Sequence, residues 1–201
     1  MKKAIFIFTA IIFTGITNSF AQTTPAMPAS ETVLKEAYTK AAKENKKVML
    51  IFHASWCGWC KKMEASLADP TVKKSIDDNY VIATLDVQEQ PAKKNLENPG
   101  AMEVMTKLKG DKAGLPFWVV LDPKGTVLAD SQVRPAGASL NTYGENVGCP
   151  ASDSEVAFFT NILKATSKIN DEQLALISKR FAMNRPAPAP AKTAAVPAGT
   201  N

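Results

Sequence analysis

Val48-Met49-Leu50-Ile51-Phe52-His53-Ala54-Ser55-Trp56-Cys57-Gly58-Trp59-Cys60-Lys61-Lys62-Met63-Glu64 joins a continuous apolar run to two cysteines three residues apart. Five apolar residues in a row, Val48 to Phe52, are the pattern of a strand covered on both faces. A helix is predicted from about Cys57 to Leu67, so the cysteines open it. Two sulfurs at this spacing can close into one small ring, and the free N–H groups and dipole of a helix start stabilise a thiolate. Cys57 then reads as the outer, attacking thiol with Trp56 beside it. Cys60, one turn further in, reads as shielded, and Trp59 between the two as exposed.

Other chemistries compete for the pair. A purely structural bridge closes too small a loop to stabilise much in a chain with core enough of its own. A zinc site lacks a second Cys-x-x-Cys or a His pair, which leaves His53 and Cys149 as the only further ligands for a metal-handling protein. A redox-inert binding module is the third reading. Placement of the cysteines directly after a buried strand and at a helix start favours redox work. No cofactor and no resident metal is expected.

Upstream, Ser30 is the expected cap of a helix whose stripe is Val33, Leu34, Ala37, Tyr38, Ala41 and Ala42. Downstream, Pro70 starts a helix from about Thr71 to Asp78, and Tyr80 to Val87 is a strand. Gln88 to Gly100 is polar and proline-marked, and Ala101 to Lys109 is a short helix. Phe117 to Leu121 and Thr126 to Ala129 flank Asp122-Pro123-Lys124-Gly125 as an antiparallel hairpin. Ser131 to Pro150 is a Gly/Pro/Asn-rich loop. Helices follow from Asp153 or Ser152 to about Ser167, and from Asp171 to about Phe181. Met63, Met102, Met105 and Trp118 are expected in the core. The succession is a mixed α/β layer architecture with a hairpin at one edge.

At the N-terminus, Lys2 and Lys3, the predominantly apolar stretch Ala4 to Ile16, and Ser19-Phe20-Ala21 have the form of an export signal, with cleavage expected after Ala21. Gln22 to Ala29 is a flexible lead-in, and residues 30–183 form the folded domain. The tail, residues 184–201, is expected to be disordered: from Pro186 onward it holds four Pro and six Ala in sixteen residues. The formal charge is +5; without Lys2 and Lys3 the 24 basic residues become 22 against 19 acidic, or +3. With lysine pairs scattered rather than in a stripe, nucleic acid is excluded as a partner. No stable membrane insertion is expected once the leader is removed.

The segment from Met49 to Glu64, together with Gly114-Leu115-Pro116-Phe117-Trp118-Val119-Val120-Leu121-Asp122, resembles the two signatures of the thioredoxin-like family, about 55 residues apart. The likeness spans roughly residues 30–167 and is strongest to the exported, reducing branch that includes the C-terminal domain of DsbD. It implies a thioredoxin-like fold: a central mixed sheet flanked by helices, here with an extra C-terminal helix. It implies that Pro116 is the family's cis-proline, with Leu115 before it facing the disulfide and offering backbone hydrogen bonds to a partner. Trp56, Gly58 and Trp59 would face that partner. Glu64 matches an acidic residue near the buried cysteine, while on the residues alone it reads equally as a solvent-facing helix glutamate. Two departures stand out: Ile51 occupies the position of thioredoxin's buried Asp, and His53 is the chain's only histidine, either packed or able to favour the Cys57 thiolate. Cys149 is the odd thiol, and burial is its expected state. The implied activity is that of a monomeric, exported thiol-disulfide oxidoreductase. It would act on disulfide-containing exported proteins and draw electrons from an upstream thiol donor.

Overall fold

A computed structural model describes residues 26–187. The export signal, the first half of the lead-in and the tail from residue 188 lie outside the described residues.

Helix α1 (Ser30–Glu44) precedes β1 (Lys47–His53), and α2 (Gly58–Leu67) and α3 (Pro70–Asp77) follow it. Then come β2 (Tyr80–Asp86), a short 3-10 turn (Pro91–Leu96), α4 (Ala101–Lys107), and the strands β3 (Phe117–Leu121) and β4 (Val127–Asp130). A small ribbon of β5 (Gln132–Val133) and β6 (Glu145–Asn146) leads to α5 (Asp153–Thr166) and α6 (Asp171–Ala182). The main sheet has the order β2-β1-β3-β4, with β1 parallel to β2 and the other pairs antiparallel. This is the thioredoxin-like fold, a mixed sheet with helices on both faces.

Alternation along β1 separates two cores. Val48, Leu50 and Phe52 point to one face, where Val119, Leu121 and Phe117 join α1 and α4. Met49 and Ile51 point to the other, where Trp118 and Val120 meet α2, α3, α5 and α6. Because both faces are covered, β1 and β3 carry no polar alternation. The aromatic step Trp118–Phe159–Phe181, with ring centroids 5.3 and 4.7 Å apart, fastens α5 and α6 to the sheet.

Several boundaries differ from the sequence expectation. Ser30 is the first residue of α1 rather than its cap; Ala29 precedes it without a side-chain bond, and the Ser30 N–H donates to the Pro99 carbonyl at 2.8 Å. A tertiary contact has taken the place of the local cap. Ala42 falls on the exposed side of α1. Ser152 forms a capping box with Glu155, and Asn170, not Asp171, forms one with Gln173. The supposed loop of residues 131–150 contains β5 and β6. Met63, Met105 and Trp118 are fully buried, and Met102 packs partly buried against the core.

Candidate active site

Where β1 ends, the chain turns through Ala54, Ser55 and Trp56 into α2. The Cys57 N–H donates to the Ala54 carbonyl at 2.9 Å, and Cys57 is the N-cap of α2, its Sγ accepting from the Cys60 N–H at 3.1 Å. Cys57 and Cys60 form a disulfide, with Cα atoms 5.3 Å apart. Its sulfur at the cap faces the unsatisfied donors of the first turn, the environment that lowers a thiol's pKa once the bond is reduced.

Both cysteines are buried, Cys57 at 3% and Cys60 at 1% exposure, which corrects the expectation of an outward-standing Cys57. Leu115 packs on them together with Ala54. The exposed groups are the flanking tryptophans, Trp56 at 50% and Trp59 at 40%. A Cβ built on Gly58 or on Gly114 would meet nothing within 4 Å, so approach is open on both sides of the pair. Lys62 places its ammonium 4.3 Å from the centre of the Trp59 ring.

The Leu115–Pro116 bond is cis. Asn146 Nδ2 donates to the carbonyls on either side, Gly114 O at 2.7 Å and Pro116 O at 3.1 Å. On the opposite flank, residues just after β2 hold the turn that precedes Cys57. The Glu89 carboxylate accepts from the Ser55 N–H, and from Ser55 Oγ at 2.8 Å. The Trp56 indole donates to the Gln88 carbonyl at 2.8 Å. Burial alone would raise the Glu89 carboxyl, but the two Ser55 hydrogen bonds outweigh it and hold the group below its usual range.

His53 is neither free nor simply packed: Asp86 Oδ1 lies 2.5 Å from its Nδ1, and Glu64 Oε1 lies 3.6 Å from its Nε2. Glu64 itself is half-exposed and reaches the His53 ring from the solvent side. Cys149 is buried, and burial pushes its thiol up to about 12. It accepts from Asn184 Nδ2 at 3.4 Å and lines a groove of about 340 Å³ together with Trp59, Leu115 and Asn146. Among the described residues, no three His, Cys, Asp or Glu side chains converge to hold a metal ion.

Cys57, Cys60, Leu115 and Pro116 thus meet at one pole, with Trp56, Gly58 and Trp59 around them, whereas Glu64 belongs to the His53 pair. Sequence reasoning missed Asp86, Glu89 and Asn146. The first two sit where a strand ends and a polar loop begins, and Asn146 lies in a stretch whose composition signals only turns.

A family model described as thioredoxin-like matches residues 29–123. Among solved structures, the disulphide isomerase of Xylella fastidiosa Temecula1 is 20% identical, covering 85% of this chain and 98% of its own, with a TM-score of 0.43. A DsbH oxidoreductase is 22% identical over 77% of this chain and 95% of its own, with a TM-score of 0.40. The reduced C-terminal domain of DsbD from Neisseria meningitidis is 30% identical over 52% and 84%, with a TM-score of 0.38. Over residues 29–123, a span that holds both the dithiol and the cis-proline turn, this chain belongs to the thioredoxin-like family and carries the Cys-x-x-Cys of thiol-disulfide oxidoreductases.

Proposed function

We propose that the chain is an exported thiol-disulfide oxidoreductase that reduces or isomerises disulfides of other exported proteins. The observation that carries this reading is the Cys57–Cys60 disulfide at the N-cap of α2, packed against the Leu115–Pro116 turn. In the reduced protein the Cys57 thiolate attacks one sulfur of a substrate disulfide and releases the other as a thiolate. The Cys60 thiolate then attacks Cys57 Sγ, closing the internal disulfide and releasing the second substrate thiol. Two electrons have passed to the substrate, and an upstream dithiol restores the pair. Trp56, Gly58, Trp59 and Leu115 form the contact surface. Buried sulfurs suit this sequence, because a partner pressed onto the two tryptophans excludes water from the exchange.

Export rests on the leader of residues 1–21, with release near Ala21 into a periplasmic or otherwise external compartment, and the working form is a monomer. Among the described residues, no helix is long and apolar enough to cross a membrane. In the metal-handling alternative His53 or Cys149 would join the cysteine pair; here His53 Nδ1 lies against Asp86 and the Cys149 sulfur accepts from Asn184.

Insulin reduction by dithiothreitol is the test. Catalysis is expected from the intact chain and only the uncatalysed rate from Cys57→Ser, while Cys60→Ser is expected to accumulate mixed disulfides through Cys57, visible on non-reducing gels. Full activity in Cys57→Ser overturns the reading.

A further inference from the structure

The carbonyls of Gly114 and Pro116 bracket Leu115, which packs on the disulfide, and both are held by a single side chain from outside the family-matched span. That side chain, Asn146, has no rotational freedom left in its amide. Its Oδ1 accepts from Ser131 Oγ at 2.7 Å and from the Gly148 N–H at 3.2 Å. The Gly148 N–H can only donate and the Gly114 and Pro116 carbonyls can only accept, which fixes the amide oxygen and nitrogen in their places, and Ser131 Oγ in turn accepts from the Trp118 N–H at 3.1 Å.

The support beneath is equally determined. Asn146 ends β6, and β6 pairs with β5. Arg134 grips Asp130 through two 2.7 Å bonds with both side chains buried, and also donates to the Thr142 carbonyl at 2.8 Å. Gln132 takes the Gly144 N–H at 2.6 Å and donates to the Lys109 carbonyl at 2.8 Å. Gly148, at φ +63°, is in the left-handed region and brings the chain beside the Pro116 carbonyl, where a Cβ would come within 3.5 Å. The segment from Ser131 to Pro150 is therefore a built arm that ends on the cis-proline turn.

Resting on the activity proposed above, we infer that Asn146 is a positioning residue for disulfide exchange. It holds the Gly114 and Pro116 carbonyls so that Leu115 presents its backbone to a polypeptide disulfide beside Cys57. Because Asn146 touches neither sulfur, its effect falls on binding of the partner and not on the chemistry of the pair.

Asn146→Ala is the cleaner variant, since it removes the donor used by the two carbonyls without placing a charge at the pole. With insulin as substrate and dithiothreitol as reductant, its KM is expected to rise about tenfold, the factor that corresponds to one ordinary hydrogen bond. Its kcat is expected to stay within about twofold by the same reasoning. The Cys57–Cys60 potential, read against glutathione buffers, is expected to match that of the unaltered chain. Asn146→Leu, also neutral and without a donor, carries the same expectation and decides the matter alone if the Ala variant does not fold. An active parent with unchanged KM in the folded variants overturns the role of Asn146 only, as does a shifted potential that accounts for the change. A parent that reduces no insulin overturns the activity and this role together.

Discussion

The disulfide sits between two flanks that hold it by different chemistry. On the β2 side, inside the family-matched span, acidic side chains do the holding: Asp86 on His53 and Glu89 on Ser55, both acting on the segment that delivers Cys57. On the β4 side, beyond that span, a neutral amide holds the turn that delivers Leu115, and the charges are set further back in the Arg134–Asp130 pair. One flank holds the segment that carries Cys57 and the other holds the turn that carries Leu115. Charge next to the sulfurs would act on both their ionisation and their position, so a neutral contact on the partner side lets the binding surface vary without altering the dithiol.

The largest expected effect breaks the β4 flank at its root. Arg134→Ala leaves Asp130 charged and uncompensated at a side-chain exposure of 2%. Removing one partner of such a buried pair costs about 3–5 kcal/mol. A fall of that size in urea-unfolding free energy, with a raised KM for insulin, is expected. A loss of stability below about 1 kcal/mol, the range of surface pairs, would mean the arm is not anchored there.

The β2 flank is expected to be weaker. Glu89→Ala removes the acceptor of both Ser55 bonds, but Ser55 is only partly buried and water replaces part of what is lost, so a total of about 1.5–3 kcal/mol is expected, the range of one hydrogen bond to a charged group. Here the rate should change as well as the stability, because Ser55 lies two residues before Cys57. A variant with lowered stability but unaltered kcat would separate this flank from the chemistry and undo the contrast.

Acidity sharpens the comparison. The folded Glu89 carboxyl titrates below its ordinary value of 4.5, so its contribution to stability is fully present above that value and is lost as the pH falls through the folded pKa. Asp69, Asp122 and Glu44 are also lowered, so the diagnostic quantity is the stability of the unaltered chain minus that of Glu89→Gln. This difference is expected to shrink as the pH falls below 4.5. The corresponding difference for Asn146→Ala is expected to be flat, since an amide does not titrate.

How much of this was open to reading follows from the range of each signal. The run from Val48 to Phe52, the hairpin around Asp122-Pro123-Lys124-Gly125 and the helix opened by the cysteines are local patterns, and they form as read. The cis bond at Pro116 came from resemblance and agrees with the structure. Local rules failed where a distant residue intervened: Pro99 took the Ser30 N–H, and Leu115 helped to cover a cysteine that helix geometry alone would leave outside. Glu89 and Asn146 were illegible for the same reason. Each looks like ordinary loop polarity until the chain, 34 residues from Ser55 in one case and 32 from Gly114 in the other, folds back on the site.

The smallest effect concerns the third thiol, which lies on the β4 flank and lines the same groove as Trp59 and Leu115. Proximity alone would let Cys149 replace Cys60 in resolving a mixed disulfide, but its state opposes this. With its pKa pushed up to about 12 by burial, Cys149 carries far less thiolate at neutral pH than an ordinary cysteine. Asn184 Nδ2 lies 3.4 Å from the sulfur and also bonds Ser66 Oγ at 2.9 Å, so the thiol is part of the packing between α2 and the end of α6. Cys149→Ala is therefore expected to leave the insulin reduction rate within about twofold, and to cost about 1 kcal/mol or less of stability for the lost sulfur contacts. The decisive reading is in the trapping background: Cys60→Ser and Cys60→Ser/Cys149→Ala are expected to accumulate the same adducts in the same amounts. Markedly more adduct in the double variant would show that Cys149 reaches Cys57 during turnover, and that the β4 flank contributes chemistry as well as position.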